Sequence, residues 1–230
     1  MLILLLDAPF GAFRTFTAGS FRPTASFITP SAAYGLLLNV AGIEMRYDDG
    51  KAVATLVRTE GLPQVEMALG ARGELPSQQS MFQQLHNYPV GQSGKEHKEA
   101  AKGNKYNITP ARRSFLSAIH AYIGVRGNDF FEEQVIKGLA GETSRAYGLP
   151  FLGDNSFLPD RLEVVDKPEP ARWYERIDEA DEDGMREDTT RLTITIDRTS
   201  MDNTRSALFA PTHQPEPEIP EKAWIMVGYP

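Results

Sequence analysis

Apolar positions along the chain fall into short runs of two different periods. Leu2 to Leu6 are unbroken apolar, the pattern of a strand buried on both faces. A loop rich in Phe, Thr, Ser and Pro follows, and then PSAAYGLLLNVAG, which is apolar almost all round. That segment predicts a helix sandwiched in the core, with Thr29 as its cap, Pro30 at the first helical position and Gly42 as its stop. KAVATLVR alternates in the manner of a strand, and QVEMALGAR places Val65, Met67 and Leu69 on one face; the turn signal TEGLP joins them. FLSAIHAYIGVRG resumes a strand pattern after a polar stretch. A second helix is expected near 129–140, with Asp129 and Glu132 in capping-box positions and Gly141 as its stop. Its buried face would be Phe130, Phe131, Val135, Ile136 and Leu139. LEVVD, RLTITID and WIMVGYP read as later strands, the second with Leu192, Ile194 and Ile196 inward.

The order β-α-β-β-(excursion)-β-α-β fits an α+β class, specifically the split βαβ, ferredoxin-like plan. Residues 1–155 would form that domain and residues 156–230 a β-rich, acidic extension. RNA-recognition modules use this plan, and so do many unrelated proteins, so the plan alone does not decide function.

Charge sharpens the picture. The net charge of −7 argues at first against a nucleic-acid partner. Its distribution reverses that: residues 1–155 hold 15 Lys/Arg and 14 Asp/Glu, whereas residues 156–230 hold 9 and 17. Screening confines charge effects to roughly 10 Å at physiological salt, so a local basic groove is compatible with an acidic tail. Residues 91–113, GQSGKEHKEAAKGNKYNITPARR, carry four lysines and two arginines against two glutamates, and read as a basic excursion from the sheet. Residues 175–188 read as a solvated acidic insert without a calcium-loop pattern.

Several chemistries drop out. The chain has no cysteine, which removes disulfides and cysteine-ligated metals and suits a reducing cytoplasm. Its four histidines, His86, His97, His120 and His213, show no metal-ligand spacing. GQSGK fails as a phosphate loop because Glu96 follows Lys95. No cofactor motif is present. The apolar start is short, lacks a basic flank and is interrupted by Asp7, so a strand is expected there rather than a leader or a membrane span.

The stretch APFGAFRTFTAGSFRPTASFITPSAAYGLLLNVAG resembles the N-terminal signature of the fifth family of CRISPR-associated (Cas) proteins, an "aPfaaFR" strand end followed by a "TPSa-yGLL" helix start. The later segment YGLPFLGDNSFLPDRLEVV fits the same family's Gly-rich loop. Together these span about a third of the chain, and the first motif is similar to the DevS-like branch of I-B-like type I systems. The resemblance implies a modified RNA-recognition fold with a protruding thumb, placed near residues 91–113. It implies a non-catalytic subunit of Cascade that caps the 5′ tag of the guide crRNA. It further implies neighbours in the backbone subunit (Cas family seven) and the large subunit (Cas family eight), with target DNA near the PAM-proximal end met indirectly, and no membrane. Two other readings stay open: a metal-independent endoribonuclease for precursor crRNA, with His97 and a neighbouring lysine as its acid and base, and a protein-interaction module without RNA contact. The chain lacks the aromatic sheet signature of a plain RNA-recognition module, which directs attention to loops and thumb.

Holding single-stranded RNA takes cations for phosphates, open backbone amides and flat side chains for unstacked bases. The first motif offers Arg14, Phe16, Arg22, Thr29, Ser31 and Tyr34 around one helix start, where free N–H groups favour phosphate. The basic excursion offers Lys95, Lys98, Lys102, Lys105, Arg112 and Arg113. The Gly-rich loop offers Arg145, Tyr147, Gly148 and Asn155.

Overall fold

The apolar run at the start does form a strand, β1 (Leu2–Gly11), buried on both faces over most of its length. The protein is represented by a computed structural model that describes residues 1–15, 21–47, 56–57, 60–86, 108–145, 148–177, 186–197 and 201–228. In chain order the remaining elements are β2 (Phe21–Arg22), α1 (Pro30–Val40), β3 (Arg46–Tyr47), β4 (Leu56–Val57), β5 (Val65–Ala71), β6 (Ser77–His86), β7 (Ile108–Arg126) and α2 (Asp129–Leu139). They are followed by β8 (Arg161–Val164), β9 (Arg172–Ile177), β10 (Thr190–Thr195), β11 (Arg205–Pro211) and β12 (Ile225–Val227).

One sheet holds most of this. Its path runs β10-β11-β9-β5-β7-β1-β8, with β12 added to β5 and both β2 and β6 added to β7. The four central strands β5-β7-β1-β8 pair antiparallel throughout. α1 follows β1 and α2 follows β7, so around those four strands the chain order is β-α-β-β-α-β. The division at residue 155 falls just before β8, which the sheet joins to β1 through Leu4↔Val164 to Asp7↔Arg161. Of the KAVATLVR segment only Leu56–Val57 is described, paired with Arg46–Tyr47; its other residues lie outside the described ones. Most of the acidic insert, 178–185, also lies outside them.

Helix α1 starts and stops where its residues dictate. The Thr29 hydroxyl accepts from the Ala32 amide at 3.2 Å, and Gly42 ends the helix at φ +70°. Ala33, Leu36, Leu37, Leu38 and Val40 are all buried, as an all-apolar helix requires. Helix α2 begins at Asp129, within the expected span, but its cap lies one residue earlier than expected. Asn128, in an extended conformation, accepts from the Phe131 amide at 3.0 Å, which makes it the cap in place of Asp129. Asp129 and Glu132 sit instead in the first turn, where carboxylates complement the helix dipole. Packing fixes the helix by Phe131 and Val135, one turn apart, so Phe130 and Ile136 rotate out to solvent rather than joining a buried face. Gly138 explains how the helices meet: a Cβ there would lie 1.8 Å from the Val40 carbonyl oxygen.

The end of the basic excursion is strand, and its residues 91–107 lie outside the described ones. Residues 108–113 belong to β7, a 19-residue strand, and β6 pairs with it from Ser77↔Ser117 to His86↔Ile108. The result is a long ribbon of β6 and β7; residues 87–107, between its two strands in sequence, lie outside the described ones. Ala118 marks where the ribbon leaves the main sheet. Its φ is +56°, and the inward-facing parity of β7 switches there, from Ile119, Ala121, Ile123 and Val125 to Leu116.

Both faces of the central sheet are covered. The helices lie over Leu2, Leu4, Leu6, Ile123 and Val125. On the opposite face Trp173 and Trp224 close over Ile3, Leu5, Ala68 and Tyr122. Gly70 and Gly124 make room for those indoles, since a Cβ at either would meet ring carbon within 3.0 Å. Among the described residues no helix is long and apolar enough to cross a membrane.

Candidate functional site

A groove with a cavity volume of about 550 Å³ runs beside α1. It is bounded by the segment after β1, the length of α1 and the residues that follow it to Met45, the Gly-rich loop and β10. Arg14, Thr29, Ser31, Tyr34, Arg145 and Asn155, three separate stretches of sequence, all line it.

The Gly-rich loop is brought to the groove by one permissive residue. Gly153 has φ +73°, and a Cβ there would lie 2.1 Å from the Ala12 carbonyl oxygen. The close approach lets the Ala12 amide donate to the Leu152 carbonyl at 3.1 Å. It also swings Asp154 under the sheet, where Arg113 meets its carboxylate at 2.7 Å and Arg14 approaches it at 3.7 Å. Burial alone would raise the Asp154 pKa. The Ser156 amide, the charge of Arg113 and the hydrogen bonds of both residues outweigh it and hold the carboxyl below its ordinary value.

The proposed contacts sort by what their polar atoms are already doing. Arg14 is 60% exposed, with the Asp154 carboxylate 3.7 Å away, and Arg145 is exposed at the rim. Asn155 is exposed beside them. Thr29 is buried and its hydroxyl serves as the helix cap, within 3.1 Å of the Ser31 hydroxyl. Tyr34 is buried as well. Its hydroxyl donates to the Pro63 carbonyl at 2.7 Å and its ring packs near Phe131, so it forms a wall of the groove. Arg113 is only 8% exposed, ion-paired with Asp154 and 5.0 Å above the Phe157 ring. Its work is to hold the loop. Gly148 is exposed at φ +52° but does not line the groove. Phe16, Lys95, Lys98, Lys102, Lys105, Tyr147 and His97 lie outside the described residues.

Arg22 and Arg112 sit on the ribbon rather than in the groove. β2 pairs parallel to β7 through Phe21↔Arg112 and Arg22↔Arg113, while β6 pairs on the other side through Phe82↔Arg112. Phe21, Arg112 and Phe82 therefore form one row across three strands, on one face. The Arg112 guanidinium lies 5.9 Å from the Phe21 ring centroid and bonds the Ser80 hydroxyl at 3.2 Å. Phe82 is 83% exposed. Flat apolar rings beside a guanidinium are what a splayed-out base stacks on.

Two exposed aromatic residues escaped the sequence reading. Phe151, exposed at the groove rim, and Phe82 are aromatic side chains that only the assembled surface places next to cations. Phe151 stands inside the quoted PFLGDN run, a signal available but not used. A third polar cluster lies on the far face: Asp7 accepts from Arg72 at 2.6 Å and lies 2.6 Å from the His120 Nδ1 atom. The desolvation that would raise the Asp7 pKa is outweighed by those two partners, so it too is held low. Among the described residues, no three acidic or histidine side chains converge as a metal site would need.

Comparison with known proteins follows the same line. The model of the CRISPR-associated protein (Cas_Cas5) family matches residues 1–216. A solved chain described as "CRISPR RNA-guided surveillance complex" shares 17% identity over 96% of this chain and 92% of its own, with a TM-score of 0.58. Another, described as "Crystal structure of Cas protein", shares 16% identity over 96% and 97%, with a TM-score of 0.49. Among curated proteins none matches the chain. The first structural likeness extends over nearly the whole chain and shows a shared mixed α/β fold with a large antiparallel sheet and few helices.

Proposed function

The chain belongs to the CRISPR-associated protein (Cas_Cas5) family, and from that premise we propose that it is a non-catalytic subunit of a Cascade-type surveillance complex, holding the 5′ tag of the guide RNA in the groove beside α1. The observation that carries this reading is the groove itself: exposed Arg14 and Arg145, exposed Asn155 and the Phe151 ring converge there from separate parts of the chain. That set supplies cations for phosphates, an amide for a base edge and a flat surface for stacking. The Phe21–Arg112–Phe82 row extends the same chemistry onto the ribbon, whose strand β7 includes residues 108–113 of the thumb that the resemblance places near 91–113. The DevS-like, I-B-like assignment rests on the "aPfaaFR" and "TPSa-yGLL" resemblance. The backbone subunit of Cas family seven, the large subunit of Cas family eight and nearby target DNA are neighbours that the family implies.

Binding of a labelled tag RNA to the purified chain tests the reading. Arg14→Ala/Arg145→Ala is expected to weaken binding by about tenfold and to lower the slope of log affinity against log salt by about 1.4, since each phosphate contact on a single strand contributes roughly 0.7. Unchanged affinity and slope would reject the groove as the RNA site. Incubation with a repeat RNA in a chelator is expected to leave it intact; cleavage would replace the capping role with the endoribonuclease one.

A further inference from the structure

The acidic C-terminal extension contains a basic pocket. Its cavity measures about 360 Å³ and takes Arg176 from β9, Arg205 from β11 and Lys222 from the short turn before β12, with Ile194, Trp224, Ile225 and Met226 as its apolar lining. Strand register explains the convergence. Tyr174, Phe209 and Leu192 are buried on the inner face of β9, β11 and β10. Side chains alternate along a strand, so the next residues on that same face are Arg176 on β9 and Ile194 on β10, and, past Ala207, Arg205 on β11. The core face thus runs out into exposed cations at the strand ends, where the Ile225–Met226 segment forms the opposing wall. Arg205 is held in place by a 3.1 Å hydrogen bond from its guanidinium to the Thr195 hydroxyl.

The pocket adjoins the α1 groove. Ile194 lines both, and the groove is completed by Thr195 and Val227, the neighbours of pocket residues Ile194 and Met226. We propose that this pocket is a second phosphate-binding site, which takes the sugar-phosphate backbone of the same single-stranded RNA where it leaves the groove and crosses β10. The inference rests on the groove being an RNA site. Two guanidiniums and an ammonium over an apolar floor match phosphate oxygens with a ribose beneath them. The volume suits about one nucleotide, being at the lower end of the range for small-molecule sites.

The test uses the full chain and two labelled single-stranded RNAs, of about 4 and about 12 nucleotides, the span over which single-strand grooves operate. Arg176→Ala/Arg205→Ala/Lys222→Ala is expected to weaken the longer RNA by about tenfold and lower its salt slope by about 2, while the shorter RNA binds as before. Lys222→Ala alone, at an exposed position, is expected to lower the slope by about 0.7 and serves if the triple variant fails to fold. Arg176→Lys/Arg205→Lys keeps the charge and is expected to keep the slope. Wild-type affinity and slope for the longer RNA in the triple variant, or in Lys222→Ala, would overturn the proposal. So would a triple variant that loses only the binding of an oligo-glutamate peptide, which would assign the pocket to acidic protein. If the C-terminal variant weakens RNA and Arg14→Ala/Arg145→Ala does not, the groove reading fails, and with it the pocket's place as a second site on the same strand; the pocket would then be an RNA site by itself.

Discussion

Asp154 shows how one side chain ties the candidate site to stability. Its carboxylate neutralises the nearly buried Arg113 at 2.7 Å and receives the Ser156 amide at 3.0 Å. The folded state holds its pKa below the ordinary carboxylate value of about 3.9, so the ionised form contributes stability at neutral pH. The sign follows: that contribution is complete above about pH 5 and disappears as pH falls through the lower, folded value. Asp154→Asn is therefore expected to cost about 3 kcal/mol at pH 7, because Arg113 is left as a buried charge without its counter-ion. It should also flatten the acid limb, so that thermal melts of variant and wild type converge as pH drops toward 3. Parallel curves over that range would show that the carboxylate carries no linkage. None of this was legible in the sequence. Arg113 stood in a run of basic residues and Asp154 in a Gly-rich loop, separated by some forty positions, and only the turn at Gly153 joins them. Arg14 and Arg145 were legible as exposed cations, because both side chains stay at the surface.

At the scale of elements, local pattern succeeded where apolar residues are buried, on one face or on both, and failed where the strand covers no core. α1 was readable from its cap, its Pro30 and its unbroken apolar body. β6 was not, because SQQSMFQQLH pairs into a two-stranded ribbon rather than covering a core, and a ribbon has no need of the apolar alternation that marks a half-buried strand. The parity switch at Ala118 is equally silent, since nothing in an alanine announces a φ of +56°. Helix packing gives a case where two effects of one substitution oppose each other. Gly138→Ala raises helix propensity by about 1 kcal/mol. The added Cβ would lie 1.8 Å from the Val40 carbonyl oxygen, a rigid backbone atom of α1, so the helices must separate. Overpacking of this kind costs about 1–3 kcal/mol, and a contact this short belongs at the upper end. We expect a net loss of about 2 kcal/mol in chemical denaturation, with the α1 groove widened and RNA affinity reduced. A variant as stable as the wild type would mean that the helix pair yields without cost.

The whole molecule settles how the acidic third relates to the rest. Composition divides the chain near residue 155 into a front domain and an acidic, β-rich extension. The sheet runs across that division. β8 pairs with β1, while β9 and β12 both pair with β5, so three segments after residue 155 add backbone hydrogen bonds directly to the central strands. Trp173 and Trp224 then cover Ile3, Leu5, Ala68 and Tyr122 from the far face, with the Arg126 guanidinium 4.4 Å above the Trp224 ring and paired to Glu66 at 2.7 Å. Removing residues 156–230 would strip that face bare. Exposing Ile3, Leu5 and Tyr122 forfeits about 1.5–3 kcal/mol each, and losing the partners of β1 and β5 adds to it, against a total stability for a domain of about 5–15 kcal/mol. A fragment of residues 1–155 is thus expected to collapse without cooperative melting and to bind hydrophobic dyes, as chains do when collapse survives the loss of packing. A sharp calorimetric transition in that fragment would instead make the acidic third a dispensable appendage. The two outcomes also bear on RNA. If the C-terminal strands complete the sheet, they position Ile194 and Val227 as the far wall of the groove, and the negative part of the chain is then what gives the positive part its shape.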